Sequence, residues 1–156
     1  MRHFLIPLTV VSFLIVSLAR GLTAEEKVYD VVVYGGTSAA VIAAQQTALM
    51  GKSVIVVSPD KHLGGLSSGG LGATDSGKQD AIGGLAKGFY HRLWQHYQAD
   101  DAWTFEPKPE AMEGQGGRGI NNTTQTMWVF EPSAAEGVFE SIVQEHQIEE
   151  IGRAHV

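Results

Sequence analysis

Apolar residues along the chain fall into short β-branched runs that alternate with helical stripes. Val28–Tyr34 reads VYDVVVY, a nearly continuous apolar run that predicts a strand buried on both faces of a parallel sheet. Ala39–Met50 is Ala-rich and carries no charge, which predicts a helix packed on that sheet and ended by Gly51. Ser53–Ser58 is a second β-branched run, closed by Pro59. Together these segments predict a β-α-β unit of about thirty residues. Farther on, Ile82, Leu85, Ala86, Phe89, Leu93 and Tyr97 recur at three- and four-residue spacing, one helical stripe expected in the core. Residues 106–119 hold two prolines and four glycines and predict an irregular excursion. Thr126–Phe130 reads as a strand. Pro132 then opens a helix, with Ser133 and Glu136 at capping-box spacing ahead of Val138, Phe139, Ile142 and Val143.

The first residues have a different character. Met1-Arg2-His3 is basic, and residues 4–18 are apolar apart from Thr9, Ser12 and Ser17. This stretch of about 15 residues falls short of the roughly 20 that a membrane span needs. Small residues at Ala19, Gly21 and Ala24 precede Glu25-Glu26. The pattern predicts a secretory signal peptide over residues 1–24, and with it an exported protein, periplasmic or extracellular, with no stable membrane span after cleavage.

Composition narrows the chemistry. Lys plus Arg total 11 against 17 Asp plus Glu, a formal charge of −6, which argues against nucleic acid as a partner. The chain has no cysteine, which removes disulfides, a thiolate nucleophile, Cys-ligated zinc and iron–sulfur clusters. Glycine is in excess, 19 of 156 residues against a usual ~7%, and nine of the 19 fall between Gly64 and Gly88.

The first glycines sit at the turn between the predicted strand and helix. A helix that begins directly after a buried strand points unpaired backbone N–H groups at whatever occupies the turn, and its dipole favours an anion there. Positions 35 to 40 read Gly-Gly-Thr-Ser-Ala-Ala against a dinucleotide fingerprint of Gly-x-Gly-x-x-Gly/Ala. Gly35 supplies the first glycine. Thr37 replaces the second, and its Cβ crowds a ligand unless its hydroxyl donates a hydrogen bond. Ala40 stands third and still permits close helix–strand packing. The acidic residue expected about twenty positions on, to hold a ribose, is Ser58 at the strand end, with Asp60 two residues later; either side chain could serve. Gly51-Lys52-Ser53 mimics the end of a nucleotide-binding P-loop, but the leading glycine would fall at Gln46 and the triplet follows a helix, so it is not one.

Residues 62–77 read HLGGLSSGGLGATDSG, with Leu63, Leu66 and Leu71 interleaved among the glycines. A flexible linker does not need those leucines. A loop folded tightly on a ligand does, with amides and hydroxyls as donors. The run YDVVVYGGTSAAVIAAQQTALMGKSVIVVSPDKHLGGLSSGGLGATDSG resembles the start of FAD-dependent oxidoreductases of the two-dinucleotide-fold superfamily. It is most similar to exported members often labelled xanthan lyase, and AIGGLAKGFYHRLWQHY and TMWVFEPSAAEGVFESIV resemble later stretches of that family. The resemblance implies an α/β, Rossmann-like FAD-binding domain with a parallel sheet, incomplete at the C-terminus and spanning residues 25–150. It implies FAD as cofactor, although the turn alone fits NAD(P) equally. It places Gly35, Gly36, Thr37, Ser38 and Ala39 around the pyrophosphate, and Leu63, Gly64, Gly65, Ser67 and Ser68 along the path from adenosine to flavin. The family commonly has Gly where Ala40 stands and an acidic residue where Ser58 stands.

The expected function is hydride transfer through a flavin, on a small-molecule or carbohydrate-related substrate. The alternatives are a polysaccharide lyase, which would need a Tyr/His/Arg constellation in a glycan cleft, or a nonfunctional fragment. Tyr90, His91 and Arg92 have suitable groups, but core or surface roles are expected for them. His91 and His96 are five apart and do not share a helix face, so a metal pair is not expected. Asn121 and Asn122 each begin a glycosylation sequon, for which an ordinary turn is the plain alternative. The last six residues, 151–156, read IGRAHV, which one frame of a common sequencing adapter encodes, and are expected to be an artefactual tail on a truncated chain.

Overall fold

A computed structural model describes residues 26–105, 107–108 and 119–152. The predicted signal peptide, most of the 106–119 excursion and residues 153–156 lie outside the described residues. Three strands form a parallel sheet in the order β1-β2-β5: β1 is Val31–Tyr34, β2 is Val54–Val57 and β5 is Glu149–Ile151. Val31 lies opposite Val54 and Tyr34 opposite Val57, while Ile55 lies opposite Glu149 and Val57 opposite Ile151. Helix α1, Ser38–Leu49, connects β1 to β2, and α3, Pro132–Glu145, leads into β5. Between β2 and α3 run α2, Gly84–His96, and two short antiparallel strands, β3 (Ile120–Asn121) and β4 (Thr126–Met127). The α/β class and the β-α-β unit are therefore as the hydrophobic pattern predicts.

The core explains why these segments fold so. Val41 and Ala44 of α1, Val54 and Val56 of β2, and Phe139, Ile142 and Val143 of α3 are all buried in one cluster with Leu63, Phe89, Leu93 and Tyr97. The Phe89 ring of α2 stacks on Phe139 at 4.5 Å and meets Phe130 edge-on at 5.9 Å. Tyr90 stacks on Trp128 at 4.1 Å, fastening α2 to the segment that follows β4. In the α2 stripe Phe89, Leu93 and Tyr97 are buried and Leu85 half-buried, but Ala86 is exposed and Ile82 precedes the helix.

Two expectations need correction. The VYDVVVY run predicts a strand covered on both sides, but among the described residues β1 is an edge strand covered on one. Val33 packs on the helices, whereas Val32 and Tyr34, which alternate to the other face, are 60% and 79% exposed. The strand also starts later, at Val31, because Asp30 turns its carboxylate onto the amide and hydroxyl of Ser53, at 2.8 Å each. The second correction concerns α3. Its N-cap is Glu131, with Pro132 as the first helical residue and no side-chain cap, so Ser133 and Glu136 form no capping box. Proline at N1 presets the helical dihedral without a cap, which leaves the Glu136 carboxylate for another partner.

The predicted strand at 126–130 is regular only over Thr126–Met127. Beyond it the chain pairs with the end of the second glycine cluster: Phe130 donates to the Gly72 carbonyl at 2.8 Å and Thr74 to the Trp128 carbonyl at 2.9 Å. A Cβ at Gly72 would lie 1.9 Å from the Phe130 carbonyl oxygen, so only glycine fits. Gly51, with φ of +70°, ends α1 as predicted. The equivalent position after α3 is Gln147, held at φ +52°, while Ile148 donates to the Val143 carbonyl at 2.9 Å across it. This is a left-handed helix stop built on a residue that has a Cβ to accommodate.

We expect Gln147→Gly to raise stability by about 0.5–1 kcal/mol, since relief of the left-handed strain exceeds the added chain entropy of glycine; a urea midpoint shift with unchanged slope checks this. The Ser53 hydrogen bonds, foremost that of its hydroxyl, hold the Asp30 carboxyl below its ordinary value. A depressed carboxyl contributes stability above its unfolded pKa and loses it as pH falls through the folded one. Ser53→Ala should therefore raise the Asp30 pKa in a carboxyl NMR titration and reduce the loss of stability in acid.

Candidate functional site

The turn between β1 and α1 is built almost without side chains. Gly35 has φ of +113° and donates to the Val57 carbonyl at 2.8 Å, so the chain leaves β1 still tied to β2. Gly36 is buried, and a Cβ there would lie 2.5 Å from Ser58 Oγ. Thr37 is the N-cap of α1, and its Oγ1 accepts from the Ala40 amide at 3.2 Å. The threonine that replaces a fingerprint glycine thus turns its hydroxyl oxygen back to cap the helix. Val41 is bonded to the Thr37 carbonyl at 3.1 Å, so the amides of Ser38 and Ala39 precede the first intrahelical bond. The first turn of α1 carries no acidic residue to oppose an anion. Ala40 is buried.

The second glycine turn is laced directly onto the first. Gly64 donates to the Gly36 carbonyl at 2.7 Å and bridges in parallel with Thr37. Its φ is +107°, and a Cβ would fall 2.5 Å from the Phe139 ring. Gly65, at φ +56°, brings its Cα to the Thr37 backbone, where an added Cβ would stand 3.3 Å away. Leu63 is fully buried and anchors this loop in the core. A 3-10 turn over Gly65–Ser67 follows. The Ser68 hydroxyl donates to the Leu63 carbonyl and, at 3.3 Å, approaches that of Gly65, so it closes its own loop. Ser67 is half-buried.

The two ribose candidates differ. Ser58 is 1% exposed, lies under Gly36, and accepts from the Asp60 amide at 3.2 Å. Asp60 is exposed at the end of β2. The structure therefore brings together Gly35, Gly36, Thr37, Ser38, Ala39, Ala40, Ser58, Leu63, Gly64 and Gly65 as one pair of interlocked turns, with Asp60 at the rim. Next to Asp60 stands His62, whose Nδ1 meets both carboxylate oxygens of Glu136, at 2.8 and 2.9 Å. This pair has no signature in the spacing, since His62 and Glu136 are 74 residues apart.

The remaining polar candidates are engaged elsewhere. Tyr90 is stacked in the core, and His91 Nδ1 meets the Gln125 carbonyl at 2.8 Å. Arg92 pairs both guanidinium nitrogens with Glu145 at 2.6 Å, a hydrogen-bonded pair that lowers the Glu145 carboxyl and raises the guanidinium. A groove of about 540 Å³ between α2 and α3 is lined by Arg92, Gln95, His96, Ser133, Gly137 and Ser141, and shares no residue with the glycine turns. The two sequon asparagines form the β3–β4 turn: Asn121 accepts from the Thr124 amide and Asn122 from the Trp94 indole. Among the described residues no three metal-binding side chains cluster, and no helix is long and apolar enough to cross a membrane.

A parallel β-α-β unit with a glycine-rich first turn is the arrangement of dinucleotide-binding α/β domains. The sequence pattern of the family described as FAD dependent oxidoreductase matches residues 30–156, and the chain belongs to that family. No curated protein matches it. Among solved structures, the crystal structure of Thermovibrio ammonificans THI4 is similar at 12% identity and a TM-score of 0.42. That similarity covers 94% of this chain and 46% of the other, so the chain spans less than half of that protein's length.

The family cofactor fits the geometry. A pyrophosphate needs close backbone approach at a helix start, and residues 35–39 supply the start of α1 with two glycines and a threonine whose hydroxyl oxygen is turned back to cap the helix. We expect Gly36→Ala to cost about 1–3 kcal/mol through overpacking against Ser58. Ser58→Ala should restore at least about 1 kcal/mol of that loss in the double variant, a coupling that chemical denaturation of the four-member cycle measures.

Proposed function

We propose that this chain is the N-terminal cofactor-binding portion of an exported FAD-dependent oxidoreductase acting on a small-molecule or carbohydrate-related substrate. The observation that carries this reading is the pair of glycine turns interlocked by the Gly64–Gly36 hydrogen bond at the start of α1. Gly35, Gly36, Thr37, Ser38 and Ala39 would receive the pyrophosphate on backbone amides. Leu63, Gly64, Gly65, Ser67 and Ser68 would shape the path from adenosine to flavin, mainly by backbone, because the Ser68 hydroxyl is committed to its own loop. Of the two ribose candidates, the exposed carboxylate of Asp60 suits the role better than the buried Ser58 hydroxyl. FAD, when bound, supplies the hydride chemistry, and the residues of this chain bind and orient it. Export is supported by the basic start, the apolar stretch and the small-residue exit of residues 1–24. The bare face of β1, with Val32 and Tyr34 exposed, supports a larger protein in which further structure covers it.

The test is flavin binding by the full chain and by Ser38→Asp. A carboxylate in the first turn favours the helix itself but repels a pyrophosphate placed there. FAD affinity, followed by flavin fluorescence quenching, should fall at least about tenfold in a variant that is no less stable, a loss of about 1.4 kcal/mol. Equal affinity in the two proteins would dismiss the seat.

A further inference from the structure

A glycine-rich turn does not choose its own shape. Glycine lacks the side chain that restricts backbone dihedrals, so its conformation has to be selected by its surroundings. Residues 64–72 include five glycines, yet Gly64 is placed closely enough to donate to the Gly36 carbonyl at 2.7 Å. Its φ of +107° is held at the same time. Part of the selection is local, since Leu63 is fully buried and the Ser68 hydroxyl closes the turn onto the Leu63 carbonyl. The rest comes from a helix distant in sequence. Two ring carbons of Phe139, Cδ2 and Cε2, each stand 2.5 Å from where a Cβ of Gly64 would be. The ring therefore fills the volume that a side chain at position 64 would take. It is itself fixed, being 1% exposed and stacked on Phe89 at 4.5 Å with the planes 15° apart. Phe139 lies in the middle of α3 and Phe89 in α2, so the shape of the glycine turn is tied to the packing of these two helices.

We propose that Phe139, held by Phe89, is a positioning residue for the cofactor seat. From a neighbouring helix it supplies the bulk that Gly64 cannot carry, and so keeps the second glycine turn against the first. The inference rests on the dinucleotide reading above. A turn held in its binding shape before the ligand arrives avoids the ordering cost that a loose glycine loop meets on binding. Loss of the ring should therefore weaken cofactor binding beyond what lost stability explains.

The test compares Phe139→Ala and Phe139→Leu with Ile142→Ala. Ile142 lies three positions along the same helix, is equally buried, and supplies none of the three atoms nearest a Gly64 Cβ. Two quantities are read on the full chain, under conditions where a urea titration shows each variant folded. One is hydrogen exchange of the Gly64 amide, followed by NMR on glycine-labelled protein; the other is FAD affinity by flavin fluorescence quenching. Relative to Ile142→Ala, Phe139→Ala should speed Gly64 exchange and weaken FAD at least about tenfold, or about 1.4 kcal/mol. Phe139→Leu keeps most of the volume and covers the case in which the alanine variant does not fold; it should show the same change at about threefold. FAD affinity in the folded Phe139 variants equal to that of Ile142→Ala overturns the role of Phe139 and leaves the seat standing. Absence of FAD binding by the unsubstituted chain overturns the dinucleotide reading, and this inference with it.

Discussion

The carbonyl of Gly36 accepts from the amide of Gly64 at 2.7 Å, and the rest of the site is arranged around the closeness this bond demands. Two backbone segments meet with Ser58 below one of them and the Phe139 ring behind the other. Neither partner leaves space for a Cβ, so glycine at both positions is a steric requirement, and at Gly64, with φ of +107°, a conformational one as well. The same contact brings Gly65 against Thr37, whose hydroxyl oxygen caps the helix. Fold and site are therefore one set of contacts: the loop that would line a cofactor is also the loop that buries Leu63 and seats Phe139.

That coupling extends through the aromatic residues. Phe139 touches the second glycine turn on one side and stacks on Phe89 on the other, and Phe89 and Tyr90 carry the packing on to Phe130 and Trp128. Phe130 in turn bonds to Gly72, near the end of the same glycine-rich segment. The segment from Leu63 to Thr74 is thus pinned at both ends to the core, although its sequence has the composition of a mobile linker. Its leucines do not share one role, since Leu63 is buried while Leu66 and Leu71 are 73% and 62% exposed.

Much of this was legible in the residue pattern because it depends on local periodicity. β-branched runs, an uncharged Ala-rich helix and glycines at its two ends predict the β-α-β unit to within a few residues. What escaped depends on contacts between distant segments. Nothing in Ser58 or Gly36 alone says that one packs beneath the other. Glu136 reads as a capping residue from its spacing to Ser133, yet Pro132 already starts the helix and the carboxylate reaches His62 instead. Gln147 occupies a left-handed position where glycine is the usual signal, so the end of α3 is silent in the sequence. The VYDVVVY run states how apolar its strand is, and it is silent on how many layers pack against it.

That last mismatch bears on how the protein behaves in a test tube. Val32 and Tyr34 form an oily strip on a strand that is, among the described residues, at the edge of its sheet. Such a strip favours self-association, so preparations that leave it bare should be most tractable when dilute or in mild detergent. A length of polypeptide laid over it would do the same service without any additive.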